Sequence, residues 1–277
     1  MSITETVLEM HYHRPLMDLI RETYGLGSTG KFNFYKYSPQ REVFIGFDQA
    51  FVMTELTDEQ FFDQIKSSAM NNGYKLPSRF IAYFLQFKVV SELQRRQQKT
   101  PPQIKSRPHY RASLDTTKND NTGFSQHELL YNLNKNDGAM VYYACPMIFD
   151  KSDLYAVNVS LDPLRLADLT SCPSDFTDNS KHYIYFDQKQ SQPIWCSEPI
   201  EGKALAPKQF AEQVIGQLRE TSAADSIEKL SSLLSKINKR GSTSEVAQRS
   251  GETIYSGLSA FADSLTIVRL DDQTLEG

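Results

Sequence analysis

Cysteine and tryptophan are scarce in this chain of 277 residues, which has three cysteines and one tryptophan. Cys145, Cys172 and Cys196 lie far apart and form no CxxC pair, which argues against a zinc knuckle and a disulfide framework. Long apolar runs are also lacking: none approaches the roughly 18 residues that a membrane span requires. Residues 1–14 carry acids and no apolar run, so we expect no signal peptide. The sequence therefore predicts a cytoplasmic protein without a membrane segment.

An excess of positive charge is lacking too, since the formal net charge is −4. A protein with this balance does not attract nucleic acid with its whole surface, so any such binding requires a local basic patch. Hydrophobic residues make up 39% of the chain, which is enough for a sizeable core.

The order of the hydrophobic patterns favours an α/β (mixed α+β) fold with a central mixed β-sheet flanked by helices. Strand patterns dominate residues 31–197, and helical patterns dominate residues 206–264. We therefore divide the chain into a core of residues 1–205 and a helical extension of residues 206–277 that packs on the core.

Polar residues interrupt the two most apolar strand patterns, residues 42–53 and residues 79–90. Asp48 interrupts the first, and Gln86 and Lys88 interrupt the second. A buried charge costs several kcal/mol, on the order of the penalty for buried ions, unless it is paired or binds a metal. One interpretation is an Asp48–Lys88 ion pair in the core. The other is a metal site, formed if the two strands are neighbours, because Gln86 and Lys88 point to the same face of their strand.

The tripeptides Gly-Phe-Asp at 46–48 and Gln-Phe-Lys at 86–88 resemble the motif of the PD-(D/E)XK nuclease superfamily. The resemblance is to the variant with Gln in place of the acid, as in Mrr-like restriction endonucleases. It implies a restriction-endonuclease-like core, helix–strand–strand–strand–helix–strand, over residues 3–149. It also implies that Asp48 and Gln86 bind Mg²⁺ or Mn²⁺, and that Lys88 is the catalytic lysine.

The resemblance implies two further site residues. An acid on the first helix would join the metal site, and Glu9 is the candidate. The helix after the lysine strand would contribute Gln126, with His127 as the lesser alternative. The tripeptide at 187–189, Asp-Gln-Lys, is our second choice for the motif.

A basic segment follows the proposed lysine strand, and no acid occurs between Glu92 and Asp115. Contacts with the phosphate backbone of a nucleic acid would be its natural use, and a solvated basic loop is the alternative. Its candidate phosphate-binding residues are Arg95, Arg96, Lys99, Lys105, Arg107 and Arg111.

Two functions follow as hypotheses. The first is a metal-dependent DNA endonuclease, for which the resemblance suggests a bacterial restriction or anti-phage defence system. The second is a non-catalytic nucleic-acid-binding or scaffold subunit of a defence complex. In either case the helices of residues 206–264 would hold a second copy of the chain or a partner subunit.

Overall fold

The computed structural model describes residues 3–25, 32–36, 45–46, 78–118, 123–137, 139–156, 159–176, 181–196, 199–222, 224–230, 232–233 and 265–271. The helices with defined bounds are α1 (Glu5–Tyr24), α2 (Gln126–Asp137), α3 (Lys151–Leu154) and α4 (Pro207–Glu220). The strands are β1 (Phe32–Lys36), β2 (Ile45–Gly46), β3 (Ser78–Phe87), β4 (Val90–Leu93), β5 (His109–Ser113), β6 (Met140–Pro146), β7 (Leu164–Asp168), β8 (Tyr183–Phe186), β9 (Pro193–Cys196), β10 (Ile200–Glu201), β11 (Ala204–Leu205) and β12 (Leu265–Asp271).

The chain forms two compact units, and β3 contributes residues to both. The first unit comprises Met1–Ile20, Leu85–Asn119 and Gly123–Ala211. The second comprises Arg21–Phe84, Asp120–Thr122 and Glu212–Gly277. This division differs from the predicted boundary between residues 205 and 206. The reason is that β12, at the end of the chain, pairs with strands from its beginning.

The first unit contains strands of two sheets. One has the order β11-β7-β6-β3, with antiparallel pairing of β6 with β7 and of β7 with β11. The other has the order β10-β9-β8-β5-β4, and each of its pairs is antiparallel. Helix α2 packs against β6. Large aromatic side chains fill the core: the ring of Tyr143 meets Trp195 edge to face at 6.4 Å, and that of Tyr142 meets Phe210 at 5.3 Å.

The second unit contains strands in the order β3-β12-β1-β2. Strand β12 is antiparallel to both of its neighbours, with Val268 opposite Ile81 on one side and Phe34 on the other. The guanidinium of Arg79 donates to the carbonyls of Leu218 and Arg219 at 3.2 and 3.0 Å. These bonds satisfy two carbonyls in the last turn of α4, which have no partner within the helix.

The structure confirms the predicted mixed α+β class. From α1 to β6 the described elements are α1, β1, β2, β3, the β4–β5 hairpin, α2 and β6, and residues 47–77, between β2 and β3, lie outside the described residues. None of the described helices has the length and apolarity needed to cross a bilayer.

One prediction about the central strands is wrong, and the neighbour relation on which the Asp48–Gln86 metal site depends does not hold for β2. Residues 79–90 do not form one strand, since β3 ends at Phe87 and β4 begins at Val90 in the other sheet. Nor is β2, with Ile45 and Gly46, the neighbour of β3, because β12 and β1 lie between them.

Candidate functional site

Lys88 lies at the point where β3 ends, and its side chain is buried. Its backbone N–H donates to the carbonyl of Ala144 at 2.9 Å, which ties this residue to β6. Only 3% of its surface is exposed. A buried ammonium requires an anion and hydrogen-bond acceptors around it. Its partners therefore define the candidate site.

The anion is Glu5, the first residue of α1. Its Oε1 lies 3.0 Å from Lys88 Nζ, and 42% of its side chain is exposed. Thr4 begins the helix, since its Oγ1 accepts from the N–H of Val7 at 3.3 Å and its carbonyl accepts from that of Leu8. A carboxylate in the first turn is favoured by the helix dipole, so the local sequence stabilises Glu5 at this position.

The second acceptor is Gln126, the first residue of α2, whose Oε1 accepts from Lys88 Nζ at 3.1 Å. Ser125 caps this helix, because its Oγ accepts from the N–H of Glu128 at 3.1 Å, as the Ser-x-x-Glu pattern predicts. The N–H of His127 donates to the carbonyl of Asp115 at 3.0 Å. Together these bonds fix the first turn of α2 and the position of Gln126.

Gln86 closes the contacts into a ring. Its Nε2 donates to Glu5 Oε2 at 3.1 Å and to the carbonyl of Phe87 at 3.2 Å. Its Oε1 accepts from Gln126 Nε2 at 2.9 Å. Lys88 only donates and the Glu5 carboxylate only accepts, so both amide groups have one possible orientation. The four residues Glu5, Gln86, Lys88 and Gln126 are called the polar ring below.

The oxygen atoms of the polar ring are of the type that Mg²⁺ prefers. The Glu5 carboxylate, the Gln86 Oε1 and the Phe87 carbonyl are hard oxygen donors. The net charge of the polar ring is less suited to binding a cation, because the ammonium of Lys88 balances the single carboxylate of Glu5. Among the described residues, no group of three His, Cys, Asp or Glu side chains could hold a metal ion. The donor chemistry therefore fits a hard cation if another carboxylate is added.

The predicted site residues have different outcomes. The structure brings together Gln86, Lys88 and Gln126, and it adds Glu5, which the sequence analysis missed. Asp48 lies outside the described residues, and the ion pair that the structure gives Lys88 is with Glu5. Glu9 lies four residues after Glu5 on α1, and thus on the same side of the helix. The same pattern that suggested Glu9, an acid on the first helix, would also have suggested Glu5.

His127, the lesser alternative to Gln126, is fully buried and contacts other groups. Its Nδ1 lies 2.8 Å from the hydroxyl of Tyr143, and its Nε2 lies 3.0 Å from the carbonyl of Ser174. Burial lowers the pKa of His127 to about 4, so the imidazole is neutral at pH 7.

Within the part of the chain that the structure describes, three cations of the basic segment have partners and three have none. The guanidinium of Arg96 donates to the carbonyls of Ile104 and Pro101 at 2.9 and 3.1 Å. That of Arg111 donates to Gln97 Oε1 and lies 4.4 Å from the centre of the Tyr183 ring. Lys99 Nζ contacts a backbone carbonyl at 3.4 Å. These three predicted phosphate-binding residues support the fold of the segment.

The remaining three cations are exposed: Arg95, Lys105 and Arg107. Strand β4 has four residues at a rise of about 3.3 Å each. The segment that follows it thus begins roughly 15–20 Å along the chain from Lys88. That length corresponds to about five base pairs of a duplex at roughly 3.4 Å per pair.

The second-choice tripeptide at 187–189 has a structural role. The carboxylate of Asp187 accepts hydrogen bonds from the N–H groups of Lys105 and Ser106 at 2.6 and 2.7 Å, and from the Ser106 hydroxyl at 2.9 Å. Burial alone would raise the pKa of Asp187, and the bonds from Ser106 and Lys105 outweigh it and hold that pKa below its usual value. The carboxylate is therefore used to hold residues 105–106 in place.

No family model, no curated protein and no solved structure matches this chain.

Proposed function

We propose that this chain is a metal-dependent nuclease that hydrolyses phosphodiester bonds in DNA, with the polar ring as its active site. The observation that carries the proposal is a ring of hydrogen bonds in which Glu5 and Gln126 contact one buried lysine and Gln86 joins these two residues. The three come from the first turns of two helices and the end of a strand. This is the set of side-chain types, an acid, an amide and a lysine, that the sequence resemblance leads us to expect.

Lys88 supplies the positive charge. Phosphodiester hydrolysis adds a water oxygen to phosphorus and breaks the bond to the leaving oxygen, and negative charge builds up on the phosphate oxygens as this occurs. An ammonium that is held by two acceptors keeps one further N–H for such an oxygen, or for the attacking water. Gln126 fixes the direction of that N–H.

Glu5 is the most exposed charged group of the site, so the substrate reaches its carboxylate first. Glu5 and Gln86 would hold a Mg²⁺ or Mn²⁺ ion, with Glu9 as a further acid on the same helix. Asp48, the carboxylate that the resemblance implies, would have to reach them past the two strands that separate β2 from β3. When bound, the ion supplies Lewis-acid stabilisation of the phosphate and a more acidic water. Glu5 would then share its carboxylate between Lys88 and the ion, since its two oxygens have lone pairs beyond those used by Lys88 and Gln86.

Nucleic acid would bind along the basic segment, through the three cations that have no partner among the described residues. Log K falls as log salt concentration rises, with a slope of about −0.9 for each phosphate neutralised. Arg95, Lys105 and Arg107 together therefore account for a slope of about −2.7, whereas all six cations of the segment would give about −5.4. Replacing these three by Gln should make the slope less negative by about 2.7.

A place in a bacterial restriction or anti-phage defence system, in the cytoplasm, belongs to the proposal through the sequence resemblance. The helices after residue 206 would then serve a homodimer or a partner subunit, since cutting both strands of a duplex commonly needs two sites.

The test is cleavage of supercoiled and linear DNA by the purified chain in Mg²⁺ or Mn²⁺. Lys88→Met and Glu5→Gln should abolish cleavage, and Asp48→Ala should do so if this carboxylate completes the metal site. Lys208→Met makes the same chemical change at an exposed position of α4 and should cut like the unmodified chain. Cleavage that survives both Lys88→Met and Glu5→Gln would refute the assignment of the site.

The closed polar ring also favours a second candidate, a non-catalytic nucleic-acid-binding or scaffold subunit. In that case the ring is a buried structural network in which Gln126, Gln86 and Lys88 satisfy one another. Such a protein would bind DNA with the salt dependence given above and would cut it in neither metal. Binding without cleavage by the unmodified chain is the result that selects this candidate.

A further inference from the structure

His127 is connected to Lys88 by two separate routes, although it does not belong to the polar ring. One route runs along the backbone to its neighbour Gln126, which accepts from Lys88 Nζ at 3.1 Å. The other runs through the side chain of Tyr143. Its hydroxyl lies 2.8 Å from His127 Nδ1, and the centre of its ring lies 5.8 Å from Lys88 Nζ.

The hydrogen-bond partners determine which ring nitrogen carries the proton. The carbonyl of Ser174 only accepts, so His127 Nε2 donates to it at 3.0 Å. In the neutral ring Nδ1 is then an acceptor, and the Tyr143 hydroxyl donates to it. The thiol of Cys172 also donates to the Ser174 carbonyl, at 3.3 Å. The chain of donors thus runs from Tyr143 through His127 to a backbone oxygen.

This arrangement fixes the Tyr143 ring with its face near Lys88. The rings of His127 and Tyr143 are both fully buried. They are stacked at 5.9 Å with an angle of 14° between their planes. A tyrosine ring within about 6 Å of an ammonium attracts it electrostatically, and a phenol that donates its proton to an imidazole has a more electron-rich ring. Burial keeps the pKa of Tyr143 well above its usual value, so the phenol remains a donor.

Packing holds His127 in turn. The ring of Phe176 lies between two imidazoles, 4.9 Å from His127 and 4.2 Å from His182, with interplanar angles of 22° and 17°. Phe176 has a φ of +50°, a conformation that non-glycine residues adopt only where the surroundings impose it. The strained backbone of Phe176 thus accompanies the contact of its ring with His127.

We propose that His127 is a positioning residue for Lys88, acting through the hydroxyl of Tyr143 and the first turn of α2. Its importance for catalysis rests on the proposed nuclease function, whereas its effect on the order of the Lys88 side chain does not.

The test is NMR of the chain labelled with ¹³C-lysine, recorded without metal or DNA, with the Lys88 signal assigned from Lys88→Arg. A lysine held in one rotamer shows two separate Hε resonances, and a freely rotating lysine shows one averaged resonance. The unmodified chain should show two for Lys88. His127→Leu removes the acceptor for the Tyr143 hydroxyl and should merge them into one. His127→Asn restores an acceptor oxygen near the position of Nδ1 and should keep them apart.

Two further variants keep the inference open to refutation. Tyr143→Phe retains the ring, loses the hydroxyl and should also merge the resonances, so it carries the test if His127→Leu does not fold. His182→Leu is the matched control on the other side of Phe176 and should leave them separate. Separate resonances in a folded His127→Leu or Tyr143→Phe chain would overturn the proposal. So would merging in His127→Asn or His182→Leu, because the effect would then be one of general packing.

The outcome is independent of cleavage. A chain that cuts no DNA but behaves as above would refute the nuclease and leave His127 as the residue that orders Lys88. A chain that cuts DNA and keeps two separate Lys88 resonances in His127→Leu would support the nuclease function and refute the positioning role of His127.

Discussion

The two charges of the Glu5–Lys88 ion pair are buried to different extents, so removing one should cost more than removing the other. The side chain of Lys88 is 3% exposed and that of Glu5 is 42% exposed. Glu5→Gln keeps the shape of the side chain and leaves a buried ammonium without an anion. Breaking a buried pair in this way costs about 3–5 kcal/mol. Because water reaches the half-exposed Glu5 position, we expect a value near the low end, about 3 kcal/mol.

Lys88→Met leaves the carboxylate instead, and that group can hydrate. An exposed pair contributes about 0–1 kcal/mol, and the lost hydrogen bond to Gln126 adds about 1 kcal/mol, so the expected cost is about 1–2 kcal/mol. The double variant should be more stable than Glu5→Gln alone, since the methionine removes the charge that had lost its partner.

The assay is urea unfolding at pH 7 followed by circular dichroism, with the free energy of unfolding extrapolated linearly to water. Lys208→Met is the control and should change that free energy by less than about 0.5 kcal/mol. If Lys88→Met costs as much as Glu5→Gln or more, the reasoning from burial is wrong.

Three further outcomes are expected. The pKa of His127 falls from an ordinary 6.5 to about 4 on burial. The unfolded chain therefore binds a proton first as pH falls, and the contribution of His127 to stability should fall by about 3 kcal/mol between pH 6.5 and 4. The loss of stability over this range should be smaller in His127→Asn, and equal pH profiles of the two chains would contradict this. A Cβ added at Gly202 would overlap Trp195 Nε1 and lie 2.9 Å from the Ser171 hydroxyl. Gly202→Ala should thus cost about 1–3 kcal/mol and shift the emission of the single tryptophan, and an unchanged spectrum would refute the overlap. Ser125→Ala should lower the free energy of unfolding by about 1 kcal/mol through loss of the cap of α2. Ser125→Gly should lower it by only a few tenths of a kcal/mol.

The sequence was sufficient for the local features of the site. The apolar pattern of residues 79–90 located the strand with Gln86, which ends just before Lys88. The Ser-x-x-Glu pattern located the start of α2 and thus Gln126. Each of these depends on contacts within a few residues. The choice of Glu9 over Glu5 was a matter of one helical turn, which a pattern of acids on a helix does not resolve.

The pairing of strands that are distant in sequence could not be predicted from the sequence. Nothing in residues 265–271 indicates that they lie between β1 and β3, and this insertion separates β2 from β3. The strand break at Lys88 also results from long-range pairing, because β4 pairs with β5 in the other sheet. The structural use of Arg96 and Arg111 was not predictable either. Arg96 donates to carbonyls that come near it only in the folded loop, and Arg111 contacts the ring of Tyr183 on β8, a strand distant in sequence.

Single-turnover cleavage of a supercoiled plasmid in Mn²⁺ by the unmodified chain and by Lys88→Met tests the central claim most directly. Removing a preorganised donor to the developing charge costs about 10²–10³-fold in rate. If the polar ring is the active site, the unmodified chain should cleave the plasmid, and Lys88→Met should lower the cleavage rate by at least about 100-fold. Lys208→Met should cleave at the unmodified rate. Equal rates in the unmodified chain and Lys88→Met would contradict an active site at the polar ring.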